Sequence, residues 1–491
     1  MTDPLMPDSL MTGSPTTEIP RSLDVRNPRT GLADHRLDLP TAGMVRAAAQ
    51  RLRAAQPAWA ALPQAERTAR MQGLKAALTD HAPALRAALE VDTGRRRIAG
   101  LELAGVLAAI DGWSAAAPHL LPTGWTDGRA NPAIRHAPHW VPYPLVGVIS
   151  PWNFPLTLSM IDTVPALFAG CAVLLKPSEV TPRFAEPLAA AVAEAGLSDI
   201  LAVLPGDGPV GEAVVDAVDC VCFTGSVPTG RKVALRAAGR LIPAFLELGG
   251  KDPLIVLEGA DLDAAVTAAL RGSVLSTGQA CQSIERLYVA APLYDEFMER
   301  LTAAAASVRL NTPDIGVGEL GPIIFVRQAE ILQAQIDDAV SRGATIRCGG
   351  RVETIGGGLW LRPTVLTGVD HTMAVMREET FGPILPVMPF DTVEEAVALA
   401  NDSIYGLSAA VFAGSLDAAE AVAKQLGAGA VSLNDAALTA LFHEAPKQSF
   451  GQSGLGPSRM GADGFTRFFR RKALIAQTGR PAPLAAFREE G

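Results

Sequence analysis

Three residues in the middle of the chain carry side chains suited to acyl chemistry. Cys281 stands in a glycine-containing loop, residues 277–282, where an exposed thiol with a pKa lowered by nearby positive dipoles would be a nucleophile. Glu247 lies in an apolar, glycine-rich segment, which suits a general base for water. Asn153 lies in a loop between prolines, where a fixed amide can stabilise an oxyanion. Each also has a plain structural interpretation, since a lone cysteine is more often buried and inert.

Three further segments have residue types that nucleotides require. Residues 206–211 match G-x-G-x-x-G, but no acidic residue follows about 20 positions on, so a glycine turn that opens a helix is the favoured interpretation. Residues 223–230 form a second glycine turn before a helix, whose free N–H groups would suit a phosphate. Lys176 and Glu179 follow a strand at the end where open α/β sheets bind ligands, although a solvated turn explains them equally well.

The elements that must position these residues alternate between short strands and helices. Apolar residues in 41–120 recur at intervals of three and four, which predicts helices. Further on, short apolar runs give way to alanine-rich helical segments, first from about residue 140 and again from about residue 253. The first group of strands is expected at 146–149, 172–175, 201–204 and 220–223. The pattern predicts two α/β domains in series, with an edge strand near 468–475.

Composition limits the classes of function. The chain has 491 residues, 48% of them hydrophobic and 19% charged, which gives several domains with large cores and excludes a disordered or fibrous protein. A net charge of −9 argues against nucleic acid or an anionic membrane as partner. No uncharged apolar run approaches the roughly 20 residues that span a bilayer. Residues 1–21 are acidic and rich in Pro, Ser and Thr, which predicts a flexible lead-in rather than a signal peptide.

The five cysteines are too sparse for a disulfide framework in so long a chain. A reducing, cytoplasmic location is therefore expected. Cys220 and Cys222 form C-x-C with no accompanying pair of histidines, so neither zinc nor another metal is predicted.

Six short motifs occur in one order along the chain: PWNFP, KPSE, FTGS, ELGGK, GQxC and ExFGP. This ordered set, over residues 22 to 478, resembles the NAD(P)-dependent aldehyde dehydrogenase superfamily. The resemblance implies two Rossmann-like α/β domains, one cofactor-binding and one catalytic, plus a small β oligomerisation flap. The implied division is a cofactor domain of 22–127 and 147–248, a catalytic domain of 249–449, and a flap of 128–146 and 450–480.

The resemblance also implies a mechanism. The thiolate of Cys281 attacks an aldehyde, while its own backbone N–H and the Asn153 amide hold the oxyanion. Hydride passes to the nicotinamide and leaves a thioester, which water activated by Glu247 hydrolyses. Lys176 completes the expected catalytic set. A CoA-acylating or reductive relative is the alternative, although such relatives usually lack the base at Glu247, and a non-catalytic binding protein is a minor one.

NAD is the implied cofactor, with NADP as the alternative. Lys176 and Glu179 would hold the adenosine ribose, and the charge of Glu179 would repel the 2′-phosphate of NADP. Ser226 would meet the pyrophosphate. Glu379 would bind the nicotinamide ribose, with Phe381 against the ring. The full expected cofactor set is Ile149, Trp152, Lys176, Ser178, Glu179, Gly206, Gly211, Phe223, Thr224, Gly225, Ser226, Leu248, Gly249, Glu379 and Phe381.

The expected substrate positions are mostly apolar. They are Phe154, Leu158, Ile161, Gln282, Leu438, Phe442 and His443. They contain no pair of arginines for a carboxylate, so aliphatic or aromatic aldehydes are expected over dicarboxylic semialdehydes. His443 could equally be a surface or loop-stabilising residue.

One stretch departs from the family pattern. The common P-F-G-G-x-K-x-S-G-x-G-R-E is replaced over residues 446–458, and its glutamate is missing, which puts an accessory proton relay in doubt. A homodimer or homotetramer is expected, because an edge strand near 468–475 would need a partner.

Overall fold

The computed structural model describes residues 21–489, so the expected lead-in lies outside the described residues except for Arg21. The described residues begin with a hairpin and four helices. The four helices occupy the region where helical spacing was expected. These elements are β1 (Arg21–Arg26), β2 (Ala33–Leu39), α1 (Ala42–Ala61), α2 (Gln64–Asp80), α3 (Ala82–Thr93) and α4 (Arg96–Ala116).

A cofactor-type α/β unit follows, in which strands alternate with helices. Its elements are β3 (Thr126–Asp127), β4 (Ile134–Pro142), β5 (Leu145–Ile149), α5 (Pro155–Ala169), β6 (Ala172–Lys176), α6 (Ala185–Glu194), β7 (Leu201–Val203), α7 (Gly208–Ala217), β8 (Cys220–Thr224), α8 (Val227–Gly239) and β9 (Ala244–Glu247). Strands β5 to β9 form a sheet in the order β9-β8-β5-β6-β7, all parallel. Their residues are almost continuously buried, as expected for a parallel sheet covered on both faces.

The second α/β unit is longer. Its elements are β10 (Asp252–Val256), α9 (Leu262–Val274), β11 (Ile284–Ala290), α10 (Ala291–Ser307), α11 (Val326–Ser341), β12 (Thr345–Cys348), β13 (Val352–Ile355), β14 (Gly358–Leu361), β15 (Thr364–Thr367), α12 (Ala374–Arg377), β16 (Ile384–Phe390), α13 (Val393–Asn401), β17 (Tyr405–Gly406), β18 (Ser408–Phe412), α14 (Leu416–Ala423) and β19 (Ala430–Leu433). Seven strands form one sheet in the order β12-β15-β16-β11-β10-β18-β19. Leu254 and Val256 enter the core on one face and Ile255 the core on the other, following the two-residue period of a strand.

The C-terminal part divides among three sheets. It contains β20 (Phe450–Gly451), β21 (Gly454–Leu455), α15 (Asp463–Thr466) and β22 (Phe469–Gln477). Strand β22 pairs antiparallel with β4, and β3 pairs with the other edge of β4. Strand β20 pairs with β17, and β21 extends the sheet beside β9.

One helical stretch, Arg96–His119, is long and apolar enough to cross a membrane by length and composition alone. One face of α4 packs into the first core through residues such as Leu103, Val106 and Ile110. The buried carboxylate of Glu102 accepts hydrogen bonds from the backbone N–H groups at the start of α5.

Candidate active site

The parallel order of β6, β5, β8 and β9 brings four predicted site segments to one edge of the first sheet. Asn153 follows β5, Lys176 ends β6, Ser226 follows β8 and Glu247 ends β9. The carboxyl edge of such a sheet is the usual position of a ligand site. Across from this edge lie the starts of β10 and β11 in the second sheet, and Cys281 comes three residues before β11.

The nucleophile loop has an unusual backbone. Ser276, Thr277 and Gly278 have successive φ values of 58°, 63° and 66°. A Cβ at Gly278 would lie 2.3 Å from the backbone of Gly382, so only glycine permits this approach to the Glu379–Pro383 turn. The Thr277 hydroxyl donates a 3.1 Å hydrogen bond to the Gly321 carbonyl. These two contacts fix the backbone on the N-terminal side of Cys281.

The Cys281 side chain is half-buried, and burial raises the pKa of its thiol to about 12. The carboxylates of Glu247 and Glu379 raise this pKa further, whereas the cationic Lys447 and Arg459 oppose the rise. The expectation of a pKa lowered by dipoles is therefore wrong, because removal from water dominates. Two positive side chains absent from the predicted set are the groups that favour the thiolate.

Asn153 is held against the nucleophile loop. Its Nδ2 donates a 3.0 Å hydrogen bond to the Gln279 carbonyl, which leaves its second N–H hydrogen for another acceptor. Within the described residues the backbone N–H of Cys281 has no hydrogen-bond partner. The nucleophile loop thus holds the Asn153 amide at Gln279 and carries an unbonded backbone N–H at Cys281, and N–H donors of this kind are what an oxyanion site requires.

The buried guanidinium of Arg95 joins the two loops. It donates to the carbonyl of Asn153 and, at 3.2 Å, to the carbonyl of Ser276. Burial lowers its pKa to about 10. Sequence reasoning missed Arg95, because nothing in its local sequence indicates contacts with segments so far along the chain.

Glu247 lies among polar groups from the C-terminal region. Its Oε2 accepts a 3.4 Å hydrogen bond from the Ser449 hydroxyl, and its Oε1 lies 3.9 Å from Nε of Arg459. The same guanidinium donates to the Asp162 carboxylate and to the Thr224 hydroxyl, at 3.1 and 2.6 Å. A carboxylate held in this way is oriented but keeps lone pairs free for water.

The residues expected on the adenosine side of the cofactor site contact one another. Lys176 is buried, burial lowers its pKa, and its Nζ donates to the Gly206 carbonyl. Glu179 has a carboxylate oxygen 3.8 Å from this Nζ and 3.3 Å from the Ser178 hydroxyl. Gly206 itself must be glycine, since a Cβ there would lie 2.6 Å from Val210.

The N-terminus of α8 is open in the way a phosphate requires. Ser226 is its N-cap residue, but the side chain makes no capping hydrogen bond and instead donates to the Thr229 hydroxyl at 3.2 Å. A Cβ at Gly225 would lie 2.6 Å from the Phe223 ring, so this turn too needs glycine. The exposed first turn fits a pyrophosphate.

Glu379 and Phe381 are the residues expected on the nicotinamide side of the cofactor site. Glu379 lies against the backbone at Gly249, where a Cβ would be 2.4 Å from its carboxylate. Burial raises the pKa of Glu379 to about 8, and the neighbouring Glu285 adds to the rise. The Phe381 ring meets the Trp152 ring edge-on, with centroids 5.4 Å apart.

The turn that carries Glu379 and Phe381 is held by Glu285. The Glu285 carboxylate accepts hydrogen bonds of 2.7 Å from the backbone N–H groups of both Thr380 and Phe381. It also pairs with the buried Lys251 ammonium at 2.9 Å. Sequence reasoning missed this network, because Glu285 lies within strand β11 and belongs to none of the six motifs.

The predicted substrate positions separate into two groups. Half-buried side chains around the Asn153 and Cys281 loops form the first; they are Phe154, Leu158, Ile161 and Gln282. The second belongs to the atypical loop before residue 446, where Leu438 is half-buried but Phe442 is 54% exposed. His443 is exposed too, and partial burial lowers its pKa with help from Arg459 and Lys447.

The remaining predicted cofactor residues line the same edge. They are Ile149 at the end of β5, Gly211 in α7, Thr224 at the end of β8 and Leu248 directly after β9. Lys447 and Arg459 were not predicted as site residues. Lys447 lies within residues 446–458, which depart from the common family motif, and Arg459 directly follows them. Among the described residues no cluster of metal-ligating side chains occurs.

Comparison with known proteins identifies this arrangement. The sequence profile of the aldehyde dehydrogenase family matches residues 16–474. The chain belongs to the aldehyde dehydrogenase family. The fold and enzyme class expected from the six motifs are thereby confirmed: it is an aldehyde-oxidising, NAD(P)-dependent aldehyde dehydrogenase with two α/β units.

Individual relatives agree with this membership. PutA of Anabaena variabilis, provisionally named as an aldehyde dehydrogenase, is 53% identical, with a TM-score of 0.92 over 94% of this chain and 99% of that one. A Mycobacterium tuberculosis aldehyde dehydrogenase complexed with NAD+ is 32% identical, with a TM-score of 0.88 over 94% and 96%. A Mycolicibacterium smegmatis relative, provisionally named as an NADP+-dependent succinate-semialdehyde dehydrogenase, is 39% identical over 87% of this chain and 83% of its own length.

Proposed function

We propose that this aldehyde dehydrogenase oxidises its aldehyde to the carboxylic acid with NAD and water, through a thiohemiacetal and a thioester on Cys281. The observation that carries the proposal is the convergence of three groups. Cys281 and the Asn153 amide belong to two loops in contact with each other, and the Glu247 carboxylate ends strand β9 at the sheet edge that Asn153 follows. A thiol, an oxyanion donor and a base are the groups that acyl transfer to water needs.

The described residues fit a dinucleotide. The uncapped start of α8 would hold the pyrophosphate, and Glu179 with Lys176 would hold the adenosine ribose. Glu379 beside the Gly249 backbone would accept from the nicotinamide ribose, with Phe381 near the ring. When bound, NAD supplies the hydride acceptor. The carboxylate of Glu179 favours NAD over NADP, because it would repel a 2′-phosphate.

The chain's own residues account for the other steps. The Cys281 thiol loses its proton to solvent, its sulfur attacks the carbonyl carbon, and the oxygen takes up negative charge beside the Asn153 amide and the Cys281 N–H. After oxidation the Glu247 carboxylate removes a proton from water, whose oxygen attacks the thioester carbon. The thiolate leaves, and the acid is released.

Hydrolysis is favoured over transfer to CoA by the setting of Glu247. Ser449 and Arg459 hold its carboxylate at the edge of the sheet, and a CoA-acylating enzyme has no need of such a base. Product analysis with and without CoA separates the two reactions. We propose a neutral aliphatic or aromatic aldehyde as substrate, on the strength of the half-buried apolar side chains of Phe154, Leu158 and Ile161.

We also propose an assembly and a location. Strand β22 has an exposed outer surface and one edge free of β4, which a second copy could cover in a homodimer or homotetramer. Five free thiols suit a cytoplasmic location. The proposed division is a cofactor domain of 22–127 and 147–248, a catalytic domain of 249–449, and a flap of 128–146 and 450–480 that contains the paired strands β4 and β22.

The proposal is tested by two variants assayed for NADH release with hexanal and benzaldehyde. Cys281→Ala is expected to abolish turnover, and Glu247→Gln to slow steady-state turnover by about 10²-fold or more. Cys171→Ala is the matched control, because Cys171 is buried away from the site. Undiminished turnover of Cys281→Ala would refute the assignment.

A further inference from the structure

Three adjacent parallel strands of the second sheet begin beside the candidate site. Strand β11 lies between β10 and β16. Lys251 directly precedes β10, Glu285 is the second residue of β11, and the turn at residues 379–381 precedes β16. Lys251 comes four residues after Glu247, and Glu285 comes four residues after Cys281. The starts of these strands thus follow the segments that carry the proposed base, the proposed nucleophile and the expected cofactor residues.

A buried ion pair joins the starts of the three strands. Nζ of Lys251 lies 2.9 Å from the Glu285 carboxylate, and both side chains are buried. The same Nζ donates a hydrogen bond to the Thr380 hydroxyl. The Glu285 carboxylate accepts hydrogen bonds of 2.7 Å from the backbone N–H groups of Thr380 and Phe381. Glu285 therefore binds a charged donor on one side and two backbone donors of the turn on the other.

The backbone of this turn depends on its contacts. Phe381 has a φ of 52°, in the left-handed region that residues other than glycine rarely adopt. Such a conformation persists only where the surrounding structure enforces it. From helix α11 the Gln328 amide donates a 2.7 Å hydrogen bond to the Thr380 carbonyl. The carbonyl side of the turn is thus held by α11, and Glu285 holds the N–H side.

The turn in its turn directs two side chains expected at the nicotinamide. The Glu379 carboxylate accepts a 3.3 Å hydrogen bond from the backbone N–H of Gly250. The Phe381 ring lies edge-on to the Trp152 ring, with centroids 5.4 Å apart. A displacement of about 1 Å is enough to impair a reaction that needs exact alignment. The contacts of Glu285 therefore bear on how the cofactor is held.

Stability alone gives little reason for an ion pair at this position. The cost of removing two charges from water offsets most of their attraction, and apolar side chains of similar volume are often as stable. Apolar side chains could not bind the N–H groups of Thr380 and Phe381, which would then be buried without an acceptor. The pair of Lys251 and Glu285 thus does something that a packed apolar pair could not.

We propose that Glu285, paired with Lys251, is a positioning residue for the nicotinamide half of the cofactor. It fixes the N–H groups of the turn, so that Glu379 and Phe381 face the ribose and the ring. The inference rests on the proposed function in taking Glu379 and Phe381 as contacts of the nicotinamide half.

The test compares the binding of NAD and of ADP by isothermal titration calorimetry. ADP has the adenosine and the pyrophosphate, but it lacks the second ribose and the nicotinamide. Glu285→Gln is expected to raise the Kd of NAD about 10-fold, because the turn loses a charged acceptor. The Kd of ADP should stay at the parental value, because Lys176 and Glu179 are untouched.

Two further variants separate positioning from a general loss of structure. Glu285→Gln leaves the Lys251 ammonium buried without its carboxylate. The double variant Lys251→Met/Glu285→Gln removes both charges, so it keeps the test valid if the single variant does not fold, and it should show the same selective loss. Glu353→Gln is the matched control, since it breaks an ion pair of the same 2.9 Å length, with Arg362 in the segment after strand β14. It should bind both ligands as the parent does.

Two results would overturn the inference. The first is parental affinity for NAD in folded Glu285→Gln or double-variant protein. The second is an equal loss of affinity for NAD and ADP, which would make the ion pair a general structural element. A parent protein that binds neither NAD nor NADP would instead refute the proposed function, so the two failures are distinguishable.

Discussion

The Asn153 side-chain nitrogen donates a 3.0 Å hydrogen bond to the carbonyl of Gln279, two residues before Cys281. This contact joins the first α/β unit to the loop that carries the nucleophile. It aligns an amide and a thiol whose separation along the chain exceeds a hundred residues. The buried Arg95 guanidinium makes the second link between the same loops.

Replacing Arg95 should therefore impair both stability and catalysis. In Arg95→Met the Asn153 carbonyl loses its donor, at a cost of about 1–3 kcal/mol for a buried group left unpaired, whereas the Ser276 carbonyl keeps the backbone N–H of Gln279. Misplacement of the oxyanion donor relative to sulfur should lower kcat by about 10²-fold. Urea unfolding and NADH release measure the two effects.

Arg97→Met is the matched control for this variant, because Arg97 is exposed on α4. It should leave both measurements unchanged. Parental kcat in Arg95→Met would show that the two loops keep their alignment without the guanidinium.

Gly278→Ala should displace the nucleophile loop. The residue has a φ of 66°, and the added Cβ would approach the Gly382 backbone to 2.3 Å. The conformation alone costs about 1–3 kcal/mol, and the clash adds to it. Loss of activity should accompany the lower melting temperature, measured by scanning calorimetry.

Gly73→Ala is the control, and we expect it to raise stability where Gly278→Ala lowers it. Gly73 lies within α2 with nothing within 4 Å of a Cβ, so alanine should raise stability by about 0.5–1 kcal/mol. Equal stability of the two alanine variants would contradict the close contact at Gly278.

Glu379 should contribute a pH dependence to stability. Folding raises its pKa from 4.5 to about 8, so the folded protein holds this proton more tightly than the unfolded chain. The contribution is fully present below about pH 4.5 and is lost as the pH rises through about 8. The melting temperature should therefore fall between about pH 4.5 and pH 8, and Glu379→Gln should flatten the fall, most clearly between about pH 7 and pH 8.

Three other buried carboxyls add to the pH dependence of stability in the lower part of this pH range. Asp92, Glu102 and Asp252 have pKa values raised to about 7 by burial, so they contribute in the same direction. Glu378→Gln, at the exposed neighbouring position, should retain the full slope. An identical slope in Glu379→Gln and the parent would show that Glu379 ionises as it does in the unfolded chain.

Glu179 should set the preference for NAD. Its carboxylate lies at the end of β6, near the Lys176 ammonium, where the adenosine ribose is expected. Glu179→Gln removes the charge but keeps the shape, so the ratio of kcat/KM for NAD to that for NADP should fall by about 10-fold. Steady-state assays with both cofactors give the ratio. A parent enzyme that prefers NADP would contradict this role.

The positions of Cys281, Glu247 and Asn153 could be expected from their motifs, because each motif places one reactive side chain beside glycine or proline. The alternation of strands and helices predicted two α/β units for a similar reason, since burial repeats with the period of each element. Arg95 could not be found in this way. Its partners are carbonyl groups, which carry no signal in the sequence.

The Cys281 pKa shows a second limit of sequence reasoning. The local loop suggested an exposed, acidic thiol, but tertiary packing removes it from water and reverses the direction. Lys447 and Arg459 oppose that effect from a segment that follows no common motif. The pairing of β20 with β17 and of β21 with β9 could not be predicted either, because it depends on which neighbouring edges are free.

The most direct test of covalent catalysis is to trap the acyl-enzyme. Glu247→Gln protein mixed with NAD and excess hexanal should release about one NADH per active subunit in a burst and then turn over slowly. Mass spectrometry of the quenched protein should find the hexanoyl group on the Cys281 peptide. Steady turnover at the parental rate, or a burst with no acyl group on Cys281, would contradict the account.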